Sequence, residues 1–239
     1  MISDFIGRHG RWARDAIALR LARLDLHPNF LTLFGLLVNL GAAILVSWGY
    51  FFYAGFVLFF AGAFDILDGA VARMTRRVTK FGAFFDSVVD RYSDLVVLIG
   101  IMIYYARETP AHSTLYVALA GIALTGSVLV SYTRARAESL IAECKVGFLE
   151  RPERLVLLLI GCFTEVPWIQ DNYFLHKMPA VLWILAILSH WTVAHRMYYT
   201  WKQLQPVDAA SELPLPGSEV AQDGPSRDWV YLSEPRQEP

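Results

Sequence analysis

Five aspartates occur among phenylalanines, valines and leucines in one stretch, which runs from Phe64 to Asp94. They are Asp65, Asp68, Asp86, Asp90 and Asp94. Carboxylates gathered in apolar surroundings repel one another unless a cation neutralises them. A cluster of hard oxygen ligands suits Mg²⁺, Mn²⁺ or Ca²⁺, and it leaves coordination positions open for phosphate oxygens. The residue types therefore predict a divalent metal site that acts on a phosphate compound.

Two antiparallel helices, joined by the basic segment RMTRRVTK, would bring four of these aspartates together. One face of the first helix carries Asp65, Asp68, Gly69 and Ala72, and one face of the second carries Gly82, Asp86 and Asp90. Residues spaced by three or four share a helical face. The small residues on these faces leave space for a bulky ligand beside the carboxylates. For Asp94 we favour a supporting role, an N-cap, or a salt bridge to Arg73, Arg76 or Arg91.

The elements that carry these residues are predicted to be membrane helices. The chain has 239 residues, of which 55% are hydrophobic and 14% aromatic. No charged side chain occurs between Pro28 and Asp65, a run long enough to cross a hydrocarbon core of about 30 Å twice. Further apolar stretches cover residues 83–106, 114–133, 155–169 and 179–194. We therefore expect an all-α polytopic membrane protein with six transmembrane helices.

Three regions follow from the distribution of charge and composition. Residues 1–27 mix arginines with apolar residues at helical spacing, which indicates an amphipathic juxtamembrane helix at the interface. Residues 28–202 form the predicted transmembrane domain. Residues 203–239 are rich in proline, serine and acidic residues and are expected to be a disordered cytoplasmic tail.

The basic residues also predict the orientation of the chain. Most of them fall at the ends of the predicted spans that share a side with the amino terminus, so the positive-inside tendency places both termini and the aspartates in the cytoplasm. We expect the cell inner membrane as the location.

A net charge of −1 argues against nucleic acid as a partner. Cys144 and Cys162 show no spacing that is typical of a disulfide framework.

The aspartate pattern resembles the signature of a known family. The string Asp65-x-x-Asp68-Gly69-x-x-Ala72-Arg73, eight residues, Gly82-x-x-x-Asp86-x-x-x-Asp90 resembles that of the CDP-alcohol phosphatidyltransferases. The resemblance covers about residues 1–202. It implies transfer of a phosphatidyl group from CDP-diacylglycerol to an alcohol, with release of CMP.

The resemblance also implies a role for individual residues. The metal ligands would be Asp65, Asp68, Asp86 and Asp90, holding Mg²⁺ or Mn²⁺ as two ions. Asp90 would in addition be the catalytic base that accepts the proton of the acceptor hydroxyl. The nucleotide would bind Asn29, Thr32, Gly69, Ala72 and Arg73. The family further suggests a homodimer.

The acceptor is predicted from a second stretch, SYTRARAESLIAECKVGFLERPERL. Its arginines at the ends of two spans favour a phosphorylated acceptor, because guanidinium groups bind phosphate through two hydrogen bonds. The stretch resembles the phosphatidylinositol phosphate synthase subgroup, although that subgroup typically has lysine in place of Arg134. The resemblance implies inositol 1-phosphate as acceptor, held by Ser131, Arg134 and Arg154. Arg151 could equally set topology, and no motif aligns Arg196.

Three alternatives remain at this point. A phosphatidylglycerol phosphate synthase would use the same donor chemistry with glycerol 3-phosphate. A cation transporter would also have carboxylates inside spans, but these would be distributed through the membrane depth rather than gathered at one end. A membrane scaffold would recruit a partner through the tail, yet it gives no reason for the signature.

Overall fold

The computed structural model describes residues 19–20, 27–75, 79–166 and 176–211. Within these residues the chain forms six helices and no strand. They are α1 (Pro28–Ser47), α2 (Phe51–Met74), α3 (Lys80–Ala106), α4 (Thr114–Ala137), α5 (Arg151–Thr164) and α6 (Met178–Ser211). The expected all-α class is confirmed, and each helix overlaps one of the predicted spans.

Three of the described helices begin where a side chain accepts a hydrogen bond from an exposed amide of the first turn. Thr79 Oγ1 accepts a hydrogen bond from Gly82 N at 2.9 Å, which starts α3. Ser113 Oγ accepts one from Tyr116 N at 3.4 Å, which starts α4. At α1 the cap is His27, because its Nδ1 accepts from Asn29 N at 3.3 Å. These caps set the positions at which the site-bearing helices start.

Helix pairing builds a bundle around one principal core. α1 packs against α2 and α3, and α4 packs against α3 and α6, while α5 packs between α2 and α6. The core contains small and branched apolar side chains, among them Ala42, Val46, Leu58, Ile101 and Leu182. α3 is central to the site, since it contacts both α1 and α4.

Two glycines allow the closest helix contacts. A Cβ on Gly100 of α3 would lie 2.5 Å from the carbonyl oxygen of Ala43 in α1. A Cβ on Gly126 of α4 would lie 2.7 Å from Ser189 of α6. Small residues of this kind let membrane helices approach each other closely. The two contacts fix α3 against α1 and α4 against α6.

Four of the described helices are long and apolar enough to cross a membrane. They cover Pro28–Ser47, Phe51–Met74, Thr114–Ala137 and Met178–Gln205. α3 has 27 residues, but its first half carries the charges of the candidate site. α5 has only 14 residues, about 21 Å at 1.5 Å per residue. The full set of six transmembrane helices therefore stays a prediction.

The predicted ends of the chain fall largely outside the described residues. Of the expected juxtamembrane helix only residues 19, 20 and 27 are described, so that helix remains a prediction. α6 continues to Ser211, which makes residues 203–211 helical where a disordered tail was expected to begin. Gln, Leu and Ala in this segment favour helix, whereas Pro206 disfavours an interior helical position, so propensity alone does not explain the extension. Residues 212–239 lie outside the described part of the chain.

Candidate active site

Three carboxylates converge where α2 faces the first half of α3. Asp65 belongs to α2, and Asp86 and Asp90 lie one helical turn apart on α3. One oxygen from each lies within 4.8 Å of the others. The side chain of Asp68 is not among those described, so its predicted part in this cluster is not seen. The helical spacing brought the other three together as expected.

Arg151, the first residue of α5, forms ion pairs with two members of this carboxylate cluster. Its Nη1 lies 2.5 Å from Asp65 Oδ2 and 2.8 Å from Asp90 Oδ2. Its Nη2 donates a second hydrogen bond to Asp65 Oδ1 at 3.2 Å. Asp94 Oδ1 is 3.6 Å from Arg151 Nε. The guanidinium is therefore surrounded by three carboxylates from two helices.

Arg154 lies one turn further along α5 and is deeply buried. It is 5% exposed, and its Nη2 contacts Asp94 Oδ2 at 2.5 Å. Its Nε is buried without a hydrogen-bond partner. Asp94 therefore forms a salt bridge, but its partners are arginines of α5 and not those near it in the sequence. A buried arginine needs such a partner, because removing one charge of a buried pair leaves the other uncompensated.

A cavity of about 480 Å³, here called the arginine cavity, opens beside the carboxylate cluster. Its polar lining residues are Ser87, Asp90, Arg91, Asp94, Ser131, Arg134, Glu138, Glu150, Arg151, Arg154 and Arg196. The three residues predicted to bind the acceptor all line this cavity, namely Ser131, Arg134 and Arg154. α3, α4, α5 and α6 each contribute arginine, so five guanidinium groups and four carboxylates line this cavity.

Glu150 links two of these arginines. Its Oε1 accepts hydrogen bonds from Arg134 Nη1 at 3.3 Å and from Arg196 Nη2 at 2.9 Å. Arg134 also donates to Glu138 at 3.0 Å through Nε. Arg134 remains accessible from the cavity, with 39% of its side chain exposed. Glu138 and Glu150 therefore help to hold the two guanidinium groups in place.

Arg196 reaches the same wall from α6 and anchors the loop before α5. It is 1% exposed, donating from Nε to the carbonyl of Val146 at 2.8 Å and from Nη1 to that of Val130 at 2.5 Å. Gly147, at φ +122°, permits this approach, since a Cβ there would lie 3.2 Å from Arg196 Nε. Arg196 thus ties the 138–150 loop to α4 and α6.

A second cavity of about 280 Å³, here called the glycine cavity, lies on the other side of the cluster. It is lined by Pro28, Asn29, Thr32, Gly69, Ala72, Arg73, Thr79, Gly82, Ala83 and Asp86. All five residues predicted to bind the nucleotide therefore line this one cavity. A Cβ on Gly82 would lie 3.4 Å from Asn29 Oδ1 and 3.0 Å from Thr79 Oγ1, so the absent side chain keeps this corner open.

The carboxylate cluster connects the two cavities, because Asp86 lines the glycine cavity and Asp90 lines the arginine cavity. Its chemistry fits a hard divalent cation. Carboxylate oxygens are ligands that Mg²⁺ and Mn²⁺ prefer, and they lie about 2.0 to 2.1 Å from a bound Mg²⁺. Oxygens within 4.8 Å of one another can therefore share an ion after small side-chain adjustments.

Sequence reasoning left three neighbours of the site without an assigned role. The sequence leaves Arg151 open between a ligand and a topological role, contains no motif that aligns Arg196, and does not single out Glu150. Their contacts span 86, 46 and 16 positions in the chain, so no local pattern reveals them. The one available signal was the run ERPER itself, which places alternating charges at the start of a helix.

Comparison with known proteins places this geometry in context. The family model described as CDP-alcohol phosphatidyltransferase matches residues 25–205. An archaetidylinositol phosphate synthase of Methanothermobacter thermautotrophicus is 38% identical over 193 residues, covering 80% of this chain and 90% of that protein. A phosphatidylinositol phosphate synthase of Mycobacterium marinum is 34% identical over 211 residues, covering 87% and 86%.

Solved structures show the same similarity in three dimensions. The crystal structure of Mycobacterium tuberculosis phosphatidylinositol phosphate synthase with CDP-DAG bound has a TM-score of 0.71 to this chain at 33% identity, covering 79% of this chain and 93% of that one. The structure of the same enzyme in complex with manganese and citrate has a TM-score of 0.70 at 33% identity, with coverage of 79% and 88%.

Proposed function

The chain belongs to the CDP-alcohol phosphatidyltransferase family, and we propose that it transfers a phosphatidyl group from CDP-diacylglycerol to inositol 1-phosphate. The products are phosphatidylinositol phosphate and CMP. The observation that carries this proposal is the position of the carboxylate cluster between two cavities of different chemistry. A group-transfer enzyme needs this arrangement, because donor and acceptor must meet at one reacting phosphorus.

The glycine cavity is the donor side of the proposal. Asn29 and Thr32 supply polar groups, while Gly69 and Ala72 leave the space that a cytidine ring requires. Arg73, at the rim, offers its guanidinium to the diphosphate. The relative crystallised with CDP-DAG supports this assignment, since its fold matches over most of the chain. The acyl chains would enter from the bilayer between helices.

The arginine cavity is the acceptor side. Ser131, Arg134 and Arg154 lie on one wall, with Asp90 at the edge nearest the carboxylate cluster. Guanidinium groups bind phosphate oxygens bidentately, so these arginines would hold the phosphate of the acceptor while its hydroxyl points to Asp90. The names of the relatives in archaea and mycobacteria favour an inositol phosphate as that acceptor.

The metal centre would consist of Asp65, Asp68, Asp86 and Asp90, holding Mg²⁺ or Mn²⁺, with two ions proposed. Such ions neutralise the charge that develops on phosphate oxygens during transfer. The manganese in the similar mycobacterial structure and the hard oxygen ligands of this cluster both support a divalent metal.

The remaining chemistry belongs to the side chains. Asp90 accepts the proton of the acceptor hydroxyl, and the hydroxyl oxygen forms a bond to the phosphorus of the phosphatidyl group. The bond from that phosphorus to the CMP oxygen breaks, and CMP leaves with the electron pair. We further propose a homodimer in the cell inner membrane, with the site and both termini in the cytoplasm.

The proposal is tested by CMP release from the purified protein in nanodiscs that contain CDP-diacylglycerol. Inositol 1-phosphate, glycerol 3-phosphate, inositol and serine are offered separately, each with Mg²⁺, with Mn²⁺ or with a chelator. We expect CMP only when metal and inositol 1-phosphate are both present. CMP released with glycerol 3-phosphate and with no other acceptor would support the proposed reaction type and contradict inositol 1-phosphate as the acceptor. No CMP with any acceptor, from folded protein, would contradict the proposed reaction.

A further inference from the structure

Arg151 holds carboxylate oxygens that the proposed metal centre also requires. Its Nη1 lies 2.5 Å from Asp65 Oδ2 and 2.8 Å from Asp90 Oδ2, and Nη2 bonds the second oxygen of Asp65 at 3.2 Å. Two of the three clustered carboxylates are thus engaged by one guanidinium. The side chain is 30% exposed, so it is shielded from water without being sealed in.

A guanidinium in this position and a divalent cation at the same cluster exclude each other. Mg²⁺ needs its oxygen ligands at about 2.0 to 2.1 Å, which is closer than the 2.5 Å and 2.8 Å at which Arg151 Nη1 approaches the oxygens of Asp65 and Asp90. Both groups are positive, and like charges a few ångströms apart in a half-buried site repel strongly. Arg151 must therefore leave Asp65 and Asp90 when the metal binds.

Asp94 gives the displaced side chain a place to go. It already lies 3.6 Å from Arg151 Nε, and it contacts Arg154 at 2.5 Å. Arg151 and Asp94 both line the arginine cavity, next to the residues proposed for the acceptor phosphate. A change of side-chain rotamer would move the guanidinium toward this wall, with no movement of α5 required.

We propose that Arg151 exchanges between two positions and so couples metal binding to binding of the acceptor phosphate. Metal displaces Arg151 from Asp65 and Asp90, and the released guanidinium then joins Arg134 and Arg154 in binding the acceptor phosphate in the arginine cavity. Because coupling between two ligands is reciprocal, the acceptor phosphate then tightens metal binding. This inference rests on the proposed function, since it takes the metal centre and the acceptor side from there.

Mn²⁺ binding, followed by the electron paramagnetic resonance signal of the free ion, tests the exchange without turnover. Wild-type protein, Arg151→Gln and Arg151→Lys are treated with chelator, desalted and titrated with Mn²⁺, with no donor or acceptor added. Arg136→Gln is the matched control, because this exposed arginine near the same membrane face bonds Ser139 and does not line the arginine cavity.

We expect Arg151→Gln to bind Mn²⁺ about tenfold more tightly than wild type, within the usual range of coupling energies. Arg151→Lys should fall between them, since lysine keeps the charge but not the forked geometry. Arg136→Gln should match wild type. Equal or weaker Mn²⁺ binding by Arg151→Gln would overturn the exchange and leave the metal centre in place.

The titration is repeated with inositol 1-phosphate present, and with inorganic phosphate as a second probe. In wild type the acceptor phosphate should tighten Mn²⁺ binding, and in Arg151→Gln this gain should be largely lost. The same gain in both proteins would overturn the coupling. If neither wild type nor any variant binds Mn²⁺, the proposed metal centre fails, and this inference fails with it.

Discussion

Asp90 and Asp94 lie one turn apart on α3, and the nearest arginine is a different one for each. Asp90 belongs to the carboxylate cluster and is 2.8 Å from Arg151, whereas Asp94 is 2.5 Å from the buried Arg154. Only Asp90 is close to the other cluster carboxylates. The two residues therefore allow a matched comparison of a reacting carboxylate with a positioning one.

We expect Asp90→Asn to lower kcat by at least about a hundredfold, because an amide cannot accept the proton of the acceptor hydroxyl. Loss of a metal ligand would act in the same direction. Asp94→Asn should mainly raise KM for the acceptor, since it releases Arg154. CMP release measures both variants, with thermal unfolding as the check on folding. Near-normal turnover by Asp90→Asn would show that Asp90 is not the catalytic base.

Residue identities at the site were largely predictable, while their partners were not. Helical spacing is enough to place Asp86 and Asp90 on one face opposite Asp65. The pairing of Asp65 with Arg151 depends on how α2 packs against α5, 86 positions along the chain. No periodicity within one helix contains that information.

At the scale of elements, the contact of Gly100 with Ala43 sets the distance between α3 and α1. In Gly100→Ala the new Cβ would lie 2.5 Å from a backbone oxygen, which cannot move aside alone. The helices must separate, at a cost of about 1 to 3 kcal/mol in stability. Because α1 carries Asn29 and Thr32, we also expect KM for CDP-diacylglycerol to rise.

Gly41→Ala is the control for this substitution. It lies two residues before Ala43 on α1, and its Cβ would meet nothing within 4 Å. Thermal unfolding and CMP release should both resemble wild type. If Gly100→Ala were also unchanged in both measurements, the two helices would have to be less tightly held than the structure indicates.

The 138–150 loop is the element that depends most on a single side chain. Arg196 makes three divergent hydrogen bonds, to Val146, Val130 and Glu150. Lysine cannot reproduce them. In Arg196→Lys we expect faster amide hydrogen exchange across the loop and a raised KM for the acceptor. Arg136→Lys, at an exposed position, should change neither, and unaltered exchange in Arg196→Lys would exclude the anchoring role.

Hydropathy located the helices well and their limits less well. The apolar runs correspond to α1 through α6, but α6 extends past residue 202 to Ser211. Neither hydropathy nor helix propensity predicts this extension, because Pro206 lies inside it. Close contacts such as Gly126 with Ser189 were not foreseeable, because a glycine in an apolar run gives no indication of the helix it faces.

For the whole molecule, the cytoplasmic location of the site is the proposal with the widest consequences. It requires Arg73, Arg134 and Arg196 on the same side as CMP release, and Arg107 with Lys177 on the other. Arg107 supports this arrangement at the opposite end of the bundle, where its guanidinium lies 5.5 Å over the Trp48 ring and bonds the Ser47 carbonyl at 3.0 Å.

Cysteine labelling tests this orientation. Cys144 and Cys162 are buried, so both are first replaced by alanine to give a background without thiols. Glu108→Cys, in the exposed connection after α3, and Gln205→Cys, exposed near the end of α6, then each present one thiol. In right-side-out vesicles a membrane-impermeant maleimide should label position 108 and leave position 205 unlabelled.

Inside-out vesicles provide the reciprocal measurement, and labelling there should occur at 205 and be absent at 108. Detergent should expose both thiols, which controls for burial of either position. The positive-inside tendency favours this result because most basic residues stand at one end of the bundle. Labelling of position 108 from the cytoplasmic face would show that the molecule has the opposite orientation. The carboxylate cluster would then lie outside, where neither CDP-diacylglycerol nor inositol 1-phosphate is expected to reach it.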